Sequence, residues 1–116
     1  MTKIEYKDHA PFETRVRVKE GVFFHPDTFS HHEMSRIVSQ AQILAPSGYE
    51  ITITSAFDGK HSKNSKHYKG KALDFRTRDF PKNCSVSTWA NRLQRRLGDE
   101  YFVLVEKTHM HVQWNG

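Results

Sequence analysis

"SKHYKGKALDFRTRD", Ser65 to Asp79, turns from a basic loop into a short apolar run and then meets an acid. Side chains on a strand alternate between its two faces. Over "KALDFRT" (Lys71 to Thr77) that places Ala72, Asp74 and Arg76 on one face and Leu73 and Phe75 on the other. A carboxylate in such a run needs a partner, because a charge taken out of water without one is costly. His67 precedes Asp74 by seven residues, with Gly70 between them. Glycine accepts a backbone turn that other residues resist, so His67 and Asp74 can converge, and the small side chain of Ala72 leaves room beside the carboxylate.

Working towards the C-terminus, "YFVLVE" (Tyr101 to Glu106) and "HMHVQW" (His109 to Trp114) read as two strands joined by a tight hairpin at Lys107-Thr108. His109 and His111 then point the same way, and Glu106 becomes the cross-strand neighbour of His109. Two adjacent imidazoles repel if both are protonated, and a metal ion resolves that conflict. His67, Asp74 and one of the later histidines supply two nitrogens and an oxygen, the donor count of a catalytic zinc with an open fourth position. Glu106, beside such an ion and not bound to it, would stand where a general base is needed. The same placement also suits a plain ion pair or hydrogen bond at a hairpin end.

Working towards the N-terminus, "AFDGKHSKNSKHYKG" is a polar loop with a turn signal at Asp58-Gly59, and "YEITITS" (Tyr49 to Ser55) is a β-branched strand. Before it, Met34, Ile37, Val38, Ala41 and Leu44 recur at helical spacing. Ser30 and Glu33 predict a capping box at the start of that helix, and Pro46 ends it. His31 and His32 fall in its first turn, where a solvated role is the ordinary one. "VFFHPDTF" reads as a loop and "TRVRVKE" (Thr14 to Glu20) as a half-exposed strand. Between the strand of Asp74 and the hairpin, "CSVSTWANRLQRRLGDE" predicts a second helix carrying Trp89, Leu93 and Leu97 and stopping at Gly98. The order predicts a single α+β domain over residues 1–116, a small mostly antiparallel sheet with two main helices.

The 116 residues carry 18 Lys and Arg against 13 Asp and Glu, a net charge of +5. Such a surface favours anionic partners, nucleic acid or the carboxylate- and phosphate-rich polymers of bacterial walls, without choosing between them. No nucleic-acid motif is evident, so a nucleic-acid partner is not expected. No run approaches the ~20 apolar residues of a membrane span. The first fifteen residues, "MTKIEYKDHAPFETR", show no apolar segment of a signal peptide. The single cysteine, Cys84, makes no internal disulfide and reads as a structural thiol rather than a nucleophile.

"SKHYKGKALD" (Ser65 to Asp74) resembles the Ser-x-His-x-x-Gly-x-Ala-x-Asp signature of the M15-type zinc peptidases. That family includes D-alanyl-D-alanine carboxypeptidases, related dipeptidases and phage endolysins, and its metal fold is related to that of hedgehog domains. "EKTHMH" (Glu106 to His111) resembles the family's second motif, and the likeness extends from Ile51 to Trp114. The resemblance implies His67, Asp74 and His111 as zinc ligands, Glu106 as general base, and His109 as the group that meets the developing oxyanion. In branches with one histidine the ligand follows the acid by three, which here is His109. The resemblance also implies Ser65 as a substrate contact. The family's substrate-gripping arginine has no counterpart in "TSAFDGKH"; Lys60, His61 or Arg76 would replace it, and Arg76 shares the face of Asp74. The implied activity is cleavage of peptidoglycan stem peptides, as a D,D-carboxypeptidase or an L,D-type endopeptidase, by a monomer made in a phage-infected or bacterial cytoplasm and released to the wall. A zinc-stabilised binding module without turnover is the alternative that the hedgehog likeness implies.

Overall fold

Leu73 and Phe75 turn to one side of a strand and Asp74 to the other, and the whole sheet is organised around that division. In a computed structural model that describes residues 2–7, 13–57 and 65–116, six strands form one sheet. They are β1 (Thr2–Lys7), β2 (Glu13–Val18), β3 (Thr52–Ser55), β4 (Ala72–Arg76), β5 (Tyr101–Val105) and β6 (His109–Trp114). Their order across the sheet is β1-β2-β3-β4-β6-β5. All neighbours are antiparallel except β2 and β3, which run parallel across the connection that contains helix α1 (His32–Leu44). Helix α2 (Val86–Leu97) connects β4 to β5. The architecture is α+β with a mostly antiparallel sheet, as the alternation and spacing predict.

Both helices cover the same sheet face. Val16, Ile53, Leu73, Phe75, Met110 and Val112 meet Met34, Ile37, Val38 and Ala41 of α1 and Trp89, Leu93 and Leu97 of α2 in one core. At ~25 cal/mol per Å2 of apolar surface removed from water, this layer is the main source of stability. Polar links fix the helices to each other and to the sheet. Trp89 Nε1 donates to the carbonyl of Ala41 at 3.0 Å. Arg36 of α1 donates to the carbonyls of Leu97 and Arg96, which the end of α2 leaves without helical partners. Gln94 of α2 donates to the carbonyl of Tyr101 and accepts from the backbone N–H of Val103, so α2 holds the edge strand β5.

Several boundaries depart from the sequence reading. The predicted capping box does not form. Ser30 lies in a 3-10 turn (Thr28–Ser30) and its hydroxyl donates to the Asp27 carbonyl, so α1 starts at His32 with His31 in the capping position. The strand predicted from Tyr49 begins only at Thr52, because Gln42 of α1 takes the Tyr49 carbonyl and the Ile51 N–H with its own side-chain amide. Strand β1 has no counterpart in the sequence reading. Helix α2 starts as its residues suggest, with the Ser85 hydroxyl accepting from Thr88 N–H, and its last turn closes on Gly98. Cys84 is exposed, so it adds little to the packing. The Asp58-Gly59 turn lies outside the described residues. No helix among the described residues is long and apolar enough to cross a membrane.

Gly70 follows the 3-10 turn Lys66–Lys69 in a left-handed conformation (φ 72°), and a Cβ there would stand 2.8 Å from His25 Cβ and 2.9 Å from Thr28 Oγ1. Gly70→Ala is therefore expected to cost on the order of 1–3 kcal/mol. Gly48→Ala, with φ 81° but nothing within 4 Å, is expected to cost less. Thermal unfolding followed by circular dichroism checks the difference; equal losses would contradict the packing argument.

Candidate metal centre

The sheet face away from the helices carries Asp74. It pairs with His111 on β6 and, across a bulge in β3, with Ser55. The bulge matters because the regular register set by Ile53 and Phe75 would put Thr54 there instead. The next residue, Ala56, turns its carbonyl to the ring of His67. His67 arrives on the 3-10 turn Lys66–Lys69, whose first N–H bond comes from a side chain: Ser65 Oγ accepts from His67 N–H at 3.2 Å.

The proton positions follow from the partners. His67 Nδ1 lies 2.7 Å from the Ala56 carbonyl, which only accepts, so Nδ1 carries the hydrogen. Its Nε2 then presents a lone pair, 3.1 Å from Asp74 Oδ1 and 3.2 Å from His111 Nδ1. His111 Nε2 lies 2.7 Å from Gln113 Oε1, and the Gln113 amide nitrogen donates to Asn115, which keeps Oε1 towards the ring. The hydrogen of His111 is thus on Nε2, and its Nδ1 faces Asp74 Oδ1 at 3.0 Å. Two lone pairs and a carboxylate oxygen crowd one point, and only positive charge holds them together. His67, Asp74 and His111 form a group that could hold a metal ion. Its members fit that role chemically: two neutral imidazoles and an anion, each imidazole oriented from behind by an acceptor.

Burial pushes the Asp74 carboxyl up, yet the hydrogen bonds with His111 and His67 and the charges of His67 and His109 outweigh it and hold the group well below the usual carboxylate range. Burial pushes His111 down, while its hydrogen bonds with Asp74 and Gln113 and the charges of Asp74 and Glu106 raise it above the ordinary imidazole value. The upward shift favours a proton on His111 in the metal-free protein, and a metal ion competes with that proton.

The remaining residues singled out in the sequence sit around this group. His109 stays outside the trio, with Nε2 3.7 Å from Asp74 Oδ2 and 3.5 Å from Glu106 Oε1, and Nδ1 3.2 Å from Thr108 Oγ1. Glu106 immediately precedes the two-residue turn Lys107-Thr108, opposite His109, and its N–H donates to the His109 carbonyl. Its side chain is 45 % exposed, against 26 % for His109 and 2 % for His67. Arg76 pairs in register with His109. It lines a cleft of about 300 Å3 together with Lys19, Thr54, Asp74, Arg78, Thr108 and His109. Lys60 and His61 lie outside the described residues. Gln113 escaped the sequence reading although it follows His109 and His111 on the same strand face. The Ala56 carbonyl and the cations Lys19 and Arg78 had no local signal.

Comparison with family models, with curated proteins and with solved structures returns no match.

A pH dependence follows. The raised His111 contributes stability to the metal-free protein that is complete below the ordinary imidazole range and is lost as pH rises through its raised value. The depressed Asp74 contributes stability that is present above the ordinary carboxylate range and is lost only on the acid side. Metal binding needs His111 without its Nδ1 proton. The rise in melting temperature on adding zinc to chelator-treated protein is accordingly expected to grow between about pH 6 and about pH 8. An increment that stays flat or shrinks over that window would contradict this donor set.

Proposed function

We propose that this chain is a zinc-dependent peptidase acting on bacterial wall peptides, with His67, Asp74 and His111 as the ligands. The observation that carries the reading is the pair of titratable groups at the mouth of the trio. Glu106 and His109 contact each other, and His109 reaches the second oxygen of Asp74. A purely structural zinc site closes with four protein ligands and needs neither group. The three donor separations, 3.0, 3.1 and 3.2 Å, are short enough for one small divalent cation to meet all three atoms.

A bound zinc supplies Lewis acidity, which makes water a nucleophile near neutral pH and draws charge from a carbonyl oxygen. The other tasks fall to the chain. Glu106, half exposed beside the site, accepts the proton of the attacking water at a carboxylate oxygen and returns it to the leaving amine. His109, with Nδ1 turned to the Thr108 hydroxyl, directs its Nε2–H at the negative charge that develops on the carbonyl oxygen. Ser65 serves by position, since its hydroxyl holds the backbone that carries His67. The wall-peptide substrate rests on the M15-type pattern in Ser65–Asp74 and Glu106–His111 and on the basic surface of the chain.

Two substitutions separate the roles. Asp74→Ala is expected to lose both zinc retention, measured by metal analysis after gel filtration, and release of new amine termini from purified peptidoglycan. Glu106→Gln is expected to retain zinc and lose cleavage by roughly 10^2–10^4-fold. Cleavage at the normal rate by Glu106→Gln removes it as the base. Retained zinc with no cleavage by the unaltered protein favours a binding module.

A further inference from the structure

Helix α2 carries three arginines on the side of the fold away from the metal group. Trp89, Ala90, Leu93 and Leu97 make its buried stripe, and its Gln94 flank holds β5. At about 100° per residue, Arg95 lies opposite that stripe, and Arg92 and Arg96 turn to the flank that faces α1. There Arg96 Nη1 donates to Gln40 Oε1 of α1 at 3.1 Å. With Leu44 of α1 the three arginines line a groove of about 510 Å3. All three are exposed, and among the described residues no ion pair engages them. Helix α2 itself holds no acid, and neither Asp99 nor Glu100, just beyond its end, bridges to them. The helix dipole favours cations in the last turn, where Arg95 and Arg96 lie. It does not account for Arg92, which stands three and four residues before them, where like charges repel.

We propose that this groove binds a linear phosphodiester polymer of the bacterial wall, held through its phosphates by Arg92, Arg95 and Arg96. The identity of the polymer rests on the wall-peptidase reading, and the phosphate chemistry rests on the groove. Each guanidinium offers a planar fork that matches two phosphate oxygens. Other polyanions fit less well. A single strand of nucleic acid stacks its bases on exposed aromatic rings. The one aromatic residue of α2, Trp89, is buried, with Nε1 bonded to the Ala41 carbonyl. A membrane surface takes in an apolar face, and Leu44 is the one apolar residue that lines this groove. The metal group lies on the opposite face of the sheet from the helices, so a polymer held on α2 leaves it open to a stem peptide. Polymer and peptide belong to the same wall, and holding one raises the local concentration of the other.

The test uses the unaltered protein and purified poly(glycerol phosphate), which contains no peptide. Calorimetry over a range of salt gives the dissociation constant. At roughly 0.7 counterions released per phosphate, three contacts predict a log–log slope of about −2. NMR amide shifts are expected along Arg92 to Leu97 and not around Asp74 and His111; shifts confined to the metal side overturn the proposal. Arg92→Gln, Arg95→Gln and Arg96→Gln together are expected to weaken binding about tenfold or more and to flatten the slope. A second triple, Lys19→Gln, Arg78→Gln and Lys107→Gln, removes the same charge from exposed positions around the metal cleft and its hairpin and is expected to leave binding nearly unchanged. Equal losses in the two triples overturn the proposal. So does tighter binding of oligothymidylate or of phosphatidylglycerol vesicles than of the wall polymer. On whole walls the arginine triple is expected to cleave more slowly than the unaltered protein, with an equal rate on a short soluble stem peptide. If the unaltered protein cleaves neither, the peptidase reading fails by itself, since the calorimetry decides this surface without turnover.

Discussion

Around Asp74 Oδ1 two imidazole nitrogens arrive at 3.1 and 3.0 Å, and neither ring is free to turn away. His67 is anchored through Nδ1 to the Ala56 carbonyl and His111 through Nε2 to Gln113. Rotating either ring would break a buried hydrogen bond, which costs about 1–3 kcal/mol when the group is left unmade. The place for a positive charge, a proton or a metal ion, is thus built in. Much of the surrounding structure serves this one point: the bulge that brings Ala56 into reach, the left-handed Gly70 that ends the turn of His67, and the β4–β6 register that sets Asp74 opposite His111. A one-residue slip between β4 and β6 would send the ligands to opposite faces.

The sheet separates two tasks by alternation. On β4 and β6 the odd and even positions divide cleanly, with Leu73, Phe75, Met110 and Val112 fully buried under the helices and Asp74, His109, His111 and Gln113 on the other side. The open face continues to the edge strand, where Phe102 pairs with Gln113 and Leu104 with His111, both 43 % exposed. Chemistry on one face can change without disturbing the core on the other. That division is also why the site tolerates charge: the groups that need water or an ion are never asked to share space with the apolar layer.

The parts that were legible in the sequence are those governed by local rules. Period-two alternation put Asp74 with Arg76 and His109 with His111, and the two-residue turn put Glu106 across from His109; the register has both relations. Helix α2 was readable from Ser85 to Gly98 because its cap and stop are made by its own residues. Failures came where a group outside the element's own pattern intervened. Gln42 shortens β3, Asp27 takes the hydroxyl of Ser30, and β1 pairs with β2 over a short run whose alternation carries only Ile4 and Tyr6 as apolar residues. In the site, the ligand types had local spacing to betray them, whereas the groups that orient and flank them did not. The Ala56 carbonyl depends on a bulge, and Lys19 reaches the cleft only because β2 runs parallel to β3.

The placement of the metal group also bears on what an ion is for. Some small domains need a metal to fold, and in them the ion ties together elements that otherwise lack a core. Here the core is complete on the far face, and the helices are joined to each other by Trp89 and Arg36 and to the sheet by Gln42 and Gln94. An ion at His67, Asp74 and His111 would join β4 and β6, which are already paired, to a single 3-10 turn. Its stabilisation would fall on that turn and on the rings themselves. A fold that holds these three side chains in place on its own differs from one that an ion must first assemble.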